Sequence, residues 1–268
     1  VDYPNQSVAA PGVVGYPGKE AGGRADFRPE IFVAQIEGHG YRLAWSSAVF
    51  CPCKMPTDQI QQADPTCTLC KGSGWFLIAP AAVANDVDRV FGDLDPLQKK
   101  IIANNAAPIM GVMSNFVNNE APWDQVRRRL EGTTAVTVRA ENKLGYYDRI
   151  TNIDNLIVYS QVVDMPADTE RLALAYPAVR VNVLRTVETI YHQDGEFVLN
   201  EGDLIWDPAE MPAPGTRLAV HYYCHPTWRV IDHPHSTRAT MIKFKTTLPK
   251  GRFTDFPVQA ALRYEFLL

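Results

Sequence analysis

The sequence predicts a mainly β protein, a barrel or sandwich with few short helices and a small zinc-bound insertion. Three observations carry that reading. From residue 133 onward apolar and polar residues alternate in short runs, the period of half-buried strands. Twenty prolines and 17 glycines break the chain into many turns, which favours strands over long helices. Four of the five cysteines fall between residues 51 and 70, and such clustering points to a metal rather than to a dispersed disulfide framework.

Residues 1–25, with VAAPGVVGYPGKEAGG at their centre, carry no sustained period and read as an extended arm that orders on a partner. PEIFVAQIEG (29–38) has a proline suited to a first helical turn and a glycine suited to a C-terminal cap, so a short helix is expected there. YRLAWSSAVF and GWFLI read as strands flanking the cysteines. Asp95-Pro96 opens a helix through LQKKIIANN, and WDQVRRRLEG forms another ending at Gly132.

Beyond these, Ala135-Thr137-Arg139 lie opposite Val136-Val138-Ala140 on one strand. NLIVYSQVV follows, and then Val179-Val181-Val183 with Arg180, Asn182 and Arg185 on the other face. TIYH, EFVL, DLIW, RLAVHYY, TWRVID, TMIKFK and PVQAALRYEFLL continue the pattern. Asp194-Gly195 signals a hairpin and Pro214-Gly215 a turn. The expected organisation is an arm (1–25), a zinc-bearing segment (26–82), a first β-rich region (83–176) and a C-terminal β domain (177–268).

At 268 residues the chain can bury a core without help from a metal. A formal charge of -4, from 26 Lys+Arg against 30 Asp+Glu, creates no basic field for nucleic acid. Arg127-Arg128-Arg129 forms a basic run that reads as a solvated face or an inter-subunit salt-bridge donor. No apolar run is long enough for a transmembrane helix and the N-terminus lacks a secretory layout, so no membrane partner and a cytosolic setting are expected.

The cysteine segment is CPCKMPTDQIQQADPTCTLCKGSGW: a C-x-C pair, thirteen residues, then C-x-x-C and Gly-Ser-Gly. Each pair presents two sulfurs and the loop closes the opposite side, which is what a tetrahedral thiolate site needs. Gly72 and Gly74 suit the turns of backbone around a sulfur. Zinc held by Cys51, Cys53, Cys67 and Cys70 is favoured over disulfides, iron-sulfur or free thiols. Four thiolates close the coordination sphere, so the expected role is structural.

HYYCHPTWRVIDHPH gathers His221, Cys224, His225, His233 and His235. On a strand His221, Tyr223 and His225 share one face and Cys224 the other. A second metal would therefore use His225, His233 and His235, with Asp232 the only nearby carboxylate. Turn and strand-face histidines are the simpler reading. No phosphate loop, G-x-S-x-G elbow or H-E-x-x-H occurs, and Trp75, Trp206 and Trp228 read as core or interface.

Three segments resemble virion structural proteins of tailed bacteriophages, of the neck, head-tail connector or tail type. They are WSSAVFCPC with DPTCTLCKGSGW, the stretch YHQDGEFVLNEGDLIWDPAEMPAPGTRLAVHYYCHPTWRVIDHPH, and PVQAALRYEFLL. CxxCxGxG also resembles the zinc repeats of DnaJ-type chaperones, which carry several copies where this chain has one C-x-x-C. The phage resemblance implies a virion protein assembled in the host cytoplasm, with no enzymatic activity. It implies a cyclic homo-oligomer at the head-tail junction that touches other neck, tail or portal-proximal proteins and no specific nucleic acid. A tail or baseplate protein is the alternative, and a metal-dependent hydrolase using the His221–His235 cluster is the alternative of a different class.

Overall fold

Strand β1 (Tyr41–Phe50) organises the fold because its two halves enter different pairings. The computed structural model describes residues 29–53, 63–80, 92–114, 132–167, 170–233, 239–242, 252–255 and 257–268. In its first half β1 pairs antiparallel with β3 (Ala107–Ser114), from Tyr41 opposite Gly111 to Trp45 opposite Ala107. On its other side it pairs with β5 (Arg149–Asn152), from Leu43 opposite Asn152 to Ser46 opposite Arg149. Beyond residue 46 it continues alone and pairs with β2 (Trp75–Ile78), which ends the sheet.

The β1–β5 pairing closes a six-strand antiparallel barrel. From β3 the order runs through β4 (Thr133–Val138), β16 (Val258–Tyr264) and β13 (Thr227–Asp232) back to β5, while β14 (Ala239–Ile242) and β15 (Arg252–Asp255) pair with each other between β13 and β16. Closure removes sheet edges, and a barrel this small is filled by its own side chains. Leu43, Trp45, Ile109, Val136, Ile150 and Leu262 fill it here. Gly111 makes room for them, since a Cβ there would lie 2.7 Å from Leu43 Cδ1. Ala44 and Ile153 point outward and are covered by Ile102 of helix α2 (Pro96–Ala103). Helix α1 (Pro29–His39) packs against β3 and buries Ile36.

Between β5 and β13 the chain builds a second β unit, a sandwich. One sheet has the order β6 (Ile157–Asp164), β12 (Arg217–Cys224), β8 (Ala178–Arg185), β9 (Ile190–Tyr191). The other has the order β10 (Phe197–Asn200), β11 (Asp203–Trp206), β7 (Arg171–Leu172). Their inner faces share one core containing Leu184, Leu218, Val220 and Tyr222 from the first and Phe197, Leu204 and Trp206 from the second. Helix α2 also touches this unit: Lys100 Nζ donates to the Glu201 carbonyl at 2.8 Å and lies 3.2 Å from its carboxylate.

The mainly β expectation holds, as do the helices expected at 29–38 and after Asp95 and the strands on either side of the cysteines. Asp95 and Gln98 form a complete capping box at the start of α2, and α1 runs one residue past Gly38. Residues 1–28, and WDQVRRRLE with Arg127, Arg128 and Arg129, lie outside the described residues.

Other expectations change. Tyr176 and Ala178, on either side of the expected division at 176/177, lie in one core, while β13 and β16 return to the barrel of β1. In β8 Val181 faces Tyr222 but Val183 faces His221, because a bulge falls between His221 and Tyr222. The extra residue flips the following side chains to the other face. Val183 is thus exposed, and Leu184 takes the core position. In β4 Ala135 and Val136 are both buried, so the half-buried alternation expected there does not appear. Asp194-Gly195 joins no hairpin, since β9 pairs with β8 and β10 with β11. The hairpin turn is Glu201-Gly202, whose positive φ values of 49° and 88° suit a two-residue turn with Asn200 opposite Asp203.

Where β1 leaves the barrel, Asp148 is buried and its carboxylate accepts three hydrogen bonds. They come from Trp45 Nε1 at 2.7 Å, the Ala48 amide at 2.8 Å and the Gly145 amide at 2.7 Å. Replacing Asp148 with Ala leaves three donors facing an apolar side chain, and stability is expected to fall by about 3 kcal/mol or more. Asp148→Asn, which keeps an acceptor oxygen, loses less. The urea midpoint measures both, and an unchanged midpoint in Asp148→Ala contradicts this account.

Candidate metal centre

The cysteines are positioned by strand pairing on one side and by a tight knuckle on the other. Phe50 pairs with Trp75 at the last rung of β1–β2, and the Cys51 amide donates to the Gly74 carbonyl at 2.9 Å, extending the ladder into the loop. Cys51 therefore stands across from the C-x-x-C turn. In that turn Cys67 N–H donates to the Asp64 carbonyl, Lys71 N–H to the Cys67 carbonyl and Ser73 N–H to the Cys70 carbonyl. The backbone reverses through Lys71, Gly72 and Gly74, with φ of 51°, 83° and 75°. At Gly72 a Cβ would lie 3.2 Å from Pro65 Cα, so both the angle and the space require glycine. Ser73 Oγ donates to the Cys70 carbonyl at 2.7 Å and fastens the turn.

The sulfurs of Cys51, Cys53, Cys67 and Cys70 lie within 4.8 Å of one another. Across the loop Cys51 and Cys67 are 3.7 Å apart and Cys53 and Cys70 3.4 Å apart. A tetrahedron with metal–sulfur arms of ~2.3 Å has an edge of roughly 3.8 Å, so the donor set and its spacing fit one metal ion. Cys51 and Cys70 are buried, while Cys53 and Cys67 are half-buried.

Backbone amides of Cys53, Asp64 and Gly74 turn toward the sulfurs of Cys51, Cys53 and Cys70 respectively. The Cys53 amide draws the Cys51 thiol down, but burial and neighbouring sulfurs leave it above its ordinary value. Burial pushes Cys53 up to about 12 against the pull of the Asp64 amide. Burial also raises Cys70, yet the Gly74 amide and the other cysteines outweigh it and bring that thiol to about 7. One sulfur thus ionises readily and repels the ionisation of the rest. A cation removes that repulsion, so metal binding and proton release are coupled. With four sulfur ligands no position stays open for an activated water. A metal ion held by the four cysteines would clamp the end of the β1–β2 extension.

Aromatic residues line that extension. Phe50 stacks on Trp75 with ring centroids 4.0 Å apart, and Trp75 lies 4.6 Å from Tyr147. Trp206 and Trp228 are buried in the two cores. The aromatic row was not readable from sequence, because Tyr147 comes from the distant loop before β5.

The histidines do not gather into a three-ligand group among the described residues. His221 is on the outer face of β12, its Nδ1 3.4 Å from Asn182 Nδ2. His225 lies beyond the end of β12, buried, with Nδ1 3.0 Å from the Asn155 carbonyl. Burial lowers its pKa. His233 packs edge-on against Tyr146, ring centroids 4.8 Å apart, and His235 lies outside the described residues. Cys224 is buried in the sandwich core, which pushes its thiol up to about 12.

No family model and no curated protein matches the chain.

Two classes of thiol are therefore expected in solution. A strong chelator should release one metal ion per chain and expose four reactive thiols, while Cys224 should react only after unfolding. Elemental analysis with a thiol titration checks this. Five thiols equally reactive in the folded, metal-free protein would contradict it.

Proposed function

We propose that this chain is a structural component of a tailed-phage virion, forming a cyclic homo-oligomer at the neck or head-tail junction, with a structural zinc in the four-cysteine site. Zinc is the metal that the donor set favours, since four thiolates in a closed tetrahedron suit an ion with no redox chemistry of its own. The observation that carries the structural role is the position of the clamp. It holds an extension of a barrel strand outside the barrel and fixes an exposed aromatic and apolar edge there, with Phe50, Leu69 and Ile78 each at least 41% exposed. An edge of that kind suits contact with neighbouring subunits.

The phage assignment is supported by the three resembling segments. They correspond to the β1–clamp–β2 unit, to the chain from β9 through His235 that includes β10 to β13, and to β16 with the residues after it. The proposed partners are further copies of the chain and other neck, tail or portal-proximal proteins. A tail or baseplate position uses the same features. Metal-dependent hydrolysis at the histidines gains no support from their placement.

Electron microscopy of the purified protein should show rings containing one zinc per chain. Cys67→Ser with Cys70→Ser should lose the zinc, loosen residues 50–76 as read by hydrogen exchange, and abolish ring formation. Rings retained without metal would overturn the structural role of the clamp.

A further inference from the structure

Resting on the oligomeric reading above, we infer that the two outer faces of the sandwich are the two halves of a head-to-tail contact between copies of this chain. One face is apolar and basic, the other is acidic, and they lie on opposite sides of a shared core.

The first face belongs to the four-stranded sheet. Cross-strand register sets Val158, Tyr223 and Arg180 in one row, Ser160, His221 and Val183 in the next, and Val162, Ala219 and Arg185 in a third. Ile190 extends the third row from β9. Val158, Val162, Val183 and Ile190 are between 41% and 65% exposed, and nothing described covers them. On this sheet Asp164 is matched by Arg217. Arg180 and Arg185 make no ion pair among the described residues. The Arg180 guanidinium stands 4.5 Å from the Tyr223 ring centre and Arg185 donates to the Thr186 and Val187 carbonyls. The face thus presents an apolar strip with unneutralised cations beside it.

The second face belongs to the three-stranded sheet. Val198 and Ile205 pair directly at its centre, and Val198 is 47% exposed. From Gln193 to Thr216 the chain carries six carboxylates and no Lys or Arg. Lys100 and Arg171 neutralise Glu201 and Asp203. Asp194, Glu196, Asp207 and Glu210 make no ion pair among the described residues, leaving an acidic rim around a small apolar centre.

A copy cannot bring its own two faces together, because the sandwich core separates them. A second copy can, with valines on valine and isoleucine and Arg180 and Arg185 against the acidic rim. Two basic faces meeting each other would set these arginines against arginines. The favoured contact is therefore heterologous, and a heterologous contact repeats from copy to copy, closing a ring where the rotation between copies allows and running on as a filament where it does not.

Charge reversal tests this in the full-length protein. Arg180→Glu with Arg185→Glu makes both faces acidic, and Asp194→Lys with Glu196→Lys and Glu210→Lys leaves only Asp207 against three lysines and makes both basic. By sedimentation velocity at low salt, each variant alone should associate about ten-fold more weakly than the wild type, or less. A 1:1 mixture should restore assembly, because each face of one variant then complements the opposite face of the other. Recovery in the mixture also shows that both variants are folded. If either variant alone assembles like the wild type, the inference is wrong and the ring reading survives. If both variants fail and the mixture fails as well, the inference is also wrong. A wild type that stays monomeric at every concentration and salt overturns the ring reading and this contact with it.

Discussion

The structure depends on a buried carboxylate at the point where β1 passes from the barrel into the clamp. A strand that pairs with β3 and β5 in one half and with β2 in the other must have a fixed direction at the changeover, at residues 46–48. Asp148 fixes it by accepting from Trp45 inside the barrel and from Ala48 beyond it. Burying a carboxylate costs several kcal/mol, roughly, unless its oxygens are satisfied. The Gly145 amide supplies the third donor, and the same loop carries Tyr147 to the aromatic row. Asp148 thus helps set the direction of the extension that carries Cys51 and the exposed aromatic edge, and the β1–β2 ladder completes their placement.

The other end of the extension needs a different solution. The β1–β2 pair is two strands wide and has little core of its own, and such a hairpin is marginal in water. A metal ion held by the four cysteines would stabilise it, because the binding free energy of such a site is also folding free energy for the loop. The knuckle at Lys71 to Gly74 is preorganised by its own hydrogen bonds, so less ordering remains for the ion to drive. Amides turned toward Cys51, Cys53 and Cys70 spread the negative charge of the thiolates over the backbone.

Features specified by short stretches of chain were legible in the sequence. The C-x-C and C-x-x-C pairs, the positive φ at Gly72 and Gly74 and the Asp95 cap each depend on residues within a few positions of one another. Strand identity was legible for the same reason. What could not be read were the pairings, because closure of β1 on β5 joins residues about a hundred positions apart. Asp148 gave no signal, since an aspartate before a strand looks like any turn residue until Trp45 and Ala48 are beside it. The bulge opposite Tyr222 defeated simple alternation in β8. A one-residue insertion exchanges the two faces, and only the partner strand reveals it. His225 misled for a related reason: two-residue periodicity carried it onto the face of His221, but β12 ends at Cys224.

That exchange of faces has a structural consequence. If β8 alternated without interruption from Val181, Val183 would turn into the core, Leu184 would turn out and Arg185 would turn in. The bulge keeps Leu184 in the core and leaves Val183 outside, beside His221 and next to Arg185. A bulge is costly in ladder hydrogen bonds, but the core gains from it, because the larger Leu184 is fully buried there and the Arg185 guanidinium stays outside on the Thr186 and Val187 carbonyls. The outer face gains as well, since a cation then stands beside the exposed valines. The irregularity in β8 is therefore best understood through both faces: it keeps a charge out of the core and sets it beside the apolar strip, on the side of the sandwich opposite the acidic sheet.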